Sequence, residues 1–270
     1  MTDALDHVRD HYRAMGLTER LKAALAVFGP EDQRLTPEQL ATLDQFHTRG
    51  LAATVELAKL AGITADSSVL DVGSGVGGPA RFLAATYGCR VAGVDLSEPF
   101  VEAAQYLTER TGQGDLASFQ AGSALALPFA GGRFDTVLLQ HVAMNIEDRA
   151  KLYGEIHRVL RPGGRFATYD IVLKDGEVEY PVPWAKTPAT SFLQTATATR
   201  EAIEAAGFRM LVWQDDTAAA KEWALRLRAS PPPSPNLGVV MGTGFAELSA
   251  NLGRNLMQGR VGVLTAVFET

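Results

Sequence analysis

The segment that most constrains this chain is VLDVGSGVGGPARFLA, Val69 to Ala84, answered by AGVDLS, Ala92 to Ser97. An apolar strand runs into a glycine turn, a helix follows, and a second apolar strand ends in an acid. The glycines at 73, 75, 77 and 78 let the backbone take positive φ and approach a ligand with no Cβ in the way. The helix behind them presents free N–H groups to a polar group. Asp95, ending the second strand, is placed to accept both hydroxyl hydrogens of a ribose. The arrangement predicts a pocket for the adenosine end of a nucleotide-like cofactor.

On the turn alone, a structural turn and a nicotinamide dinucleotide site both stay open. Two features tilt against the dinucleotide. Asp71 lies two residues before the first glycine, where a carboxylate meets a cationic group on a ligand. The spacing 73, 75, 77 also departs from G-x-G-x-x-G, although Gly78 falls on its last position.

The flanking chain alternates in the same way. Strands are predicted over 68–72, 90–94, 117–120, 136–140 and 165–170, with helices over 77–86, 99–111 and 148–159. Repeated β-α-β units form a parallel sheet with right-handed crossovers, hence an α/β fold. Further on, a helix over 191–206 stops at Gly207. Strands over 208–214 and 261–268 enclose helices over 217–229 and 244–257. The expected organisation is a helical cap at 1–50, with helices over 6–15, 19–27 and 40–46, and a sheet domain at 51–270. A lid insertion is expected at about 217–258.

Composition narrows the partners. A net charge of -6 without a basic cluster argues against nucleic acid, whose phosphates draw Lys and Arg together. The single cysteine, Cys89, rules out an internal disulfide and leaves no Cys-based zinc site. No metal is expected. The polar N-terminus and the lack of a bilayer-length apolar run predict a cytoplasmic protein with no membrane partner, monomeric or homodimeric, acting on a small molecule.

VLDVGSGVGGPARFLA, GVDLS, GSALALPFAGGRFDTV and RVLRPGGRF, taken in order, resemble class I S-adenosylmethionine-dependent methyltransferases. The resemblance runs over about residues 50–172 and implies a Rossmann-like sheet of seven strands with the last antiparallel. It implies S-adenosyl-L-methionine as cofactor and S-adenosyl-L-homocysteine as product. By that resemblance Asp71, Gly73, Ser74 and Gly75 hold the methionine and ribose part, Asp95 the ribose, and Leu96 packs on the adenine. Ser123-Ala124 stands where the family often has Asp-Ala. A serine oxygen still accepts from the adenine amine, without charge assistance. Gln140 is expected on the cofactor wall, and Tyr12 over the cofactor carboxylate. The chain's end, from Gly259, loosely resembles sarcosine/dimethylglycine and natural-product O-methyltransferases.

Methyl transfer from a sulfonium is a direct displacement. The protein must hold the nucleophile in line, exclude water and place any proton released. LLQHVAMNIED follows the fourth strand at the switch-point edge of the sheet, where ligands bind. His141 is the residue there that takes a proton near neutral pH, as a general base or else as a pocket wall. His47, in LDQFHTRG, and Asp170, ending the fifth strand, are the other catalytic candidates. Trp184 reads as an aromatic wall or a hydrophobic anchor. The expected reaction methylates nitrogen or oxygen of a small molecule. The alternative is a C-methyltransferase of a quinone, terpenoid or polyketide-like acceptor, which needs an apolar pocket and little acid–base chemistry. A nicotinamide oxidoreductase lacks its Tyr-x-x-x-Lys pair here, and a non-catalytic cofactor-binding module stays open.

Overall fold

Along each central strand, successive apolar residues face opposite sides, and both sides are covered. The computed structural model describes residues 16–232 and 234–270. Its strands are β1 (Ser68–Val72), β2 (Arg90–Asp95), β3 (Ala117–Ala121), β4 (Phe134–Gln140), β5 (Leu160–Leu173), β6 (Arg209–Asp215) and β7 (Val261–Glu269). They form one seven-stranded sheet in the order β3-β2-β1-β4-β5-β7-β6. β7 runs antiparallel to both neighbours, and the other pairs are parallel. This is the Rossmann-like methyltransferase sheet that the resemblance implied. β1 lies between β2 and β4, so the strand order reverses there and opens a crevice at the carboxyl ends.

The helices are α1 (Leu17–Leu25), α2 (Pro37–Asp44), α3 (Leu51–Ala61), α4 (Gly78–Tyr87), α5 (Glu98–Thr111), α6 (Arg149–Val159) and α7 (Ala196–Ala205). Between β6 and β7 come α8 (Thr217–Ala229), α9 (Gly238–Met241) and α10 (Phe245–Met257). Val69, Leu138 and Ala167 pack with Leu57 and Leu83 on one face. Leu70, Val137 and Phe166 pack with Leu152 and Ile156 on the other. That alternation is the two-residue period of a strand buried on both sides. None of the described helices is long and apolar enough to cross a membrane.

Three segments differ from the sequence expectation. β5 starts at Leu160, because Leu160 already pairs with Phe134, and Arg161-Pro162-Gly163-Gly164 bulges out before Arg165 pairs with Thr136. The helix expected over 191–206 begins only at Ala196, where Thr195 accepts the Ala198 N–H and sets the start. The turn glycine Gly78 is needed for packing: a Cβ there would run into the Asp44 carbonyl oxygen. The helix expected over 6–15 lies outside the described residues.

That close approach joins the N-terminal cap to the glycine-turn helix. Asp44, ending α2, pairs with Arg81 of α4 at 2.8 Å, with both side chains sealed from solvent. Arg81 also donates to the Ala104 carbonyl and the Thr108 hydroxyl. Burial pushes Asp44 up to about 6 even against the Arg81 charge, so the pair is costly to split. Asp44→Ala is expected to lower unfolding stability by about 3–5 kcal/mol, because it strands a buried guanidinium. The double replacement Asp44→Leu with Arg81→Met should cost much less, measured by urea denaturation.

Candidate functional site

The crevice at the switch point opens into a single cavity. Its walls come from the β1 turn, the end of β2, the segment after β3, the loop after β4, residues 46–48 and the helices between β6 and β7. Gly73 and Gly75 both take positive φ, at 72° and 54°, and both reach the cavity wall. A Cβ on Gly73 would collide with Val142 of the loop after β4. The Gly75 N–H donates to Asp95 Oδ2 at 2.8 Å, and the Ser97 N–H donates to Oδ1 at 2.9 Å. Each carboxylate oxygen keeps a lone pair for a ribose hydroxyl. Leu96, Ser123, Ala124 and Gln140 line the same cavity. The Ser123 oxygen accepts the Leu125 N–H at 3.2 Å.

Asp71 and Ser74 do not themselves line the cavity. Both are buried, and Asp71 Oδ2 and Ser74 Oγ have no hydrogen-bond partner. Burial, aided by the nearby Asp95 charge, pushes Asp71 up to about 7. A buried carboxylate oxygen left without a donor beside a glycine cradle fits an ammonium group, and so fits the methionine end of S-adenosylmethionine. Gln140 Oε1 is a further buried acceptor without a partner. Tyr12 lies outside the described residues.

The three catalytic candidates part company. His47 lines the cavity, but its Nε2 lies 3.0 Å from the Gly50 carbonyl and 3.0 Å from the Thr54 hydroxyl. That hydroxyl donates to Gln45, so both groups accept from the ring, which anchors the loop. Burial brings the His47 pKa down to about 4. Asp170, like Asp71, does not line the cavity, but its oxygens, unlike Asp71 Oδ2, both have partners. Its Oδ2 accepts the Ala143 N–H and its Oδ1 the Ile171 N–H, at 2.8 and 2.9 Å. Asp170 therefore shapes the loop after β4 from behind.

His141 stands on the cavity wall with φ 56°. Its ring stacks on Tyr169 with an interplanar angle of 8°, and its Nε2 is 3.3 Å from the Thr48 hydroxyl. Burial and the neighbouring His47 hold its pKa well below the usual histidine range. Thr48 and Tyr169, joined at 3.0 Å, are functional candidates that sequence reasoning passed over. They flank the residues it chose, yet lie 121 positions apart and share no motif. Trp184 is buried in the wall and donates Nε1–H to Ser191. Trp223, Met241 and Phe245 reach the wall from the β6–β7 insertion. Among the described residues, no cluster of His, Cys, Asp or Glu is arranged to hold a metal ion.

Residues 70–168 match the family model described as a methyltransferase domain. The chain is 33% identical over 168 residues to the sterol 24-C-methyltransferase of Eremothecium gossypii, covering 59% of this chain and 44% of that one. It is 36% identical over 134 residues to methyltransferase GfsG of Streptomyces halstedii, covering 50% and 48%. The chain thus spans under half the length of these curated relatives. Among solved structures, a geranyl diphosphate C-methyltransferase from Streptomyces coelicolor A3(2), in complex with S-adenosyl-L-homocysteine, superposes with a TM-score of 0.71. It is 17% identical, and 98% of this chain and 97% of that chain are covered. A phosphoethanolamine N-methyltransferase 2 of Haemonchus contortus in complex with S-adenosyl-L-methionine gives 0.69 at 18% identity, covering 95% and 60%. At such identities the two structures share the fold alone.

The Asp71 carboxylate has a signed pH consequence. Its folded pKa of about 7 lies above the unfolded value near 4. The folded state therefore holds an extra proton between those limits, and this group's contribution makes stability fall as pH rises from about 4 to 7. Asp71→Asn in the cofactor-free protein is expected to melt higher than the parent at pH 8, with the gap closing towards pH 4. The same substitution should weaken S-adenosylmethionine binding about 10–100-fold by calorimetry, since a charge-assisted contact is lost. Unchanged affinity would remove the ammonium assignment.

Proposed function

We propose, from the premise that this chain is a class I S-adenosylmethionine-dependent methyltransferase with its methyltransferase domain at residues 70–168, that it methylates a carbon atom of an apolar small molecule. One observation carries the reading. Beyond the cofactor end, the cavity is walled by Met144, Trp184, Trp223, Met241, Phe245 and Leu252, with no Lys or Arg among the described lining residues. Such a wall binds hydrocarbon by removing it from water, at about 25 cal/mol per Å². Its π faces also offset positive charge appearing on the acceptor. The similarity to a sterol 24-C-methyltransferase supports carbon as the receiving atom. A neutral terpenoid, quinone or polyketide-like molecule suits the wall better than a phosphorylated one, whose anionic group meets no cation on the described surface.

S-adenosylmethionine, when bound, supplies the methyl group and leaves as a neutral thioether. Asp71, Gly73, Gly75 and Asp95 hold it by its methionine and ribose ends, with Leu96 and Ser123 at the adenine. The acceptor's π pair forms the new carbon–carbon bond while the carbon–sulfur pair stays on sulfur. The acceptor, now cationic, sheds a proton to restore its π bond. A carbocation is acidic enough for water at the rim, beside the exposed Glu147, to take that proton. Residues 16–50 and the helices between β6 and β7 act as the lid that keeps water from the sulfonium.

A nitrogen or oxygen acceptor is the second reading, and it would need His141 as the recipient of the proton. An amine or phenol would hand its proton to that ring. The depressed basicity of His141 makes it a weak recipient, and this favours carbon.

Incubation with methyl-labelled S-adenosylmethionine and a panel of terpenoids, quinones, polyketides, phenols and amines should give a product whose labelled methyl resonates as C–CH₃. Label found only on nitrogen or oxygen would sink the carbon reading. Trp223→Ala is expected to lower kcat/KM for the accepted substrate about 10–100-fold while the cofactor Kd stays put.

A further inference from the structure

Among the described residues, two that are not glycine take positive φ: Arg49 at 63° and His141 at 56°. An L-residue holds that sterically unfavourable backbone only where its surroundings over-determine it, and such positions gather at functional sites. One hydrogen-bonded network touches both. Thr48, next to Arg49, lies 3.3 Å from His141 Nε2 and 3.0 Å from the Tyr169 hydroxyl.

The polarity of this network follows from its charged end. The Arg49 guanidinium is fixed by Glu56 at 2.6 Å and Asp216 at 3.5 Å. Burial pushes the Tyr169 hydroxyl up to about 12, against the lowering effect of the nearby Arg49 charge, so the hydroxyl keeps its hydrogen. The same charge turns the hydroxyl hydrogen away, towards Thr48. Thr48 accepts it and has one hydrogen of its own to give, and His141 Nε2 is the partner in reach. Donation therefore runs from Tyr169 to Thr48 to His141. An imidazole that accepts at Nε2 carries its hydrogen at Nδ1. Charging the ring would turn Nε2 into a donor, take away the acceptor of the Thr48 hydrogen and set a cation against the buried His47 ring, 6.0 Å away. No described residue accepts from Nδ1, and the ring lies on the cavity wall.

We propose that His141 is a neutral Nδ1–H donor that binds an oxygen of the methyl acceptor, held in that form by Thr48, Tyr169 and Arg49. This deepens the carbon-methylation reading and rests on it for the identity of the ligand. The acceptor is then an apolar molecule bearing a carbonyl, ether or hydroxyl oxygen near the carbon to be methylated. His141 touches substrate, whereas Thr48, Tyr169 and Arg49 are positioning residues. A general base at His141 would need the opposite: a ring free to take and release a proton during turnover.

The tautomer is measured directly. Protein labelled with ¹⁵N-histidine and saturated with S-adenosylhomocysteine is followed by NMR from pH 5.5 to 8, with the His141 signals identified by their loss in His141→Asn. The neutral Nδ1–H form is expected throughout, and Thr48→Val and Tyr169→Phe should shift it towards Nε2–H. In turnover, His141→Asn, whose amide nitrogen falls near the place of Nδ1, should keep at least about a tenth of kcat/KM. His141→Gln, whose amide falls near Nε2, and His141→Ala should each lose about 100-fold or more. An Nε2–H or imidazolium ring in that pH range, or equal losses in all three variants, would overturn the proposal. The NMR arm contains no acceptor. If the Nδ1–H form is found while label goes only to nitrogen or oxygen, the carbon reading alone has failed.

Discussion

The site is organised by a contact that only glycine permits. Val142, in the loop after β4, fills the space where a side chain at Gly73 would stand. The turn after β1 and the loop after β4 thereby lock together across the switch point. On the proposed function the turn would hold the cofactor, since Gly75, two residues after Gly73, lines the cavity and donates to Asp95. The loop would hold the acceptor on the same reading, since His141 and Met144, on either side of Val142, line the cavity. A direct displacement demands that donor and acceptor be held in line, and this backbone-to-side-chain contact is what couples the two holders.

Much of this arrangement could be read from the chain, and the limits have physical causes. The central strands were legible because each is a short apolar run, and Asp95 because it ends the strand that follows the glycine turn and its helix. Gly78 looked like part of a ligand cradle, yet its missing side chain makes room for the Asp44 carbonyl. Local spacing cannot distinguish a ligand from a packed helix. Asp170 ends a strand at the functional edge, as a catalytic acid does, but two backbone amides occupy its oxygens. Thr48 and Tyr169 were invisible for the reverse reason. Each is an ordinary residue whose meaning arises from a partner on a distant strand or loop.

Three buried aspartates and the half-buried Asp95 show how the fold separates structure from readiness to bind. Asp44 meets Arg81, and Asp170 meets two amides. Asp95 meets two amides as well, but on the cavity wall, with lone pairs to spare. Asp71 has an oxygen with no donor at all. Burial raises the pKa of all four, so the shift alone does not mark a functional acid. Unfilled hydrogen-bonding capacity does, because a buried charge left unpaired costs stability that only a ligand can return.

The acceptor end manages charge by a different route. Its described walls contribute no Lys or Arg, and its two imidazoles are kept neutral by burial. With the cofactor in place, the sulfonium is then the dominant positive charge in the chamber. On the carbon-methylation proposal that charge would move onto the acceptor, among Trp and Phe side chains whose π faces stabilise a cation without bonding to it. A protonated histidine at this place would repel the acceptor just as its charge developed. Holding His141 as a neutral donor, as proposed, resolves that conflict: the ring can orient an oxygen on the acceptor while adding no net charge to the field around it.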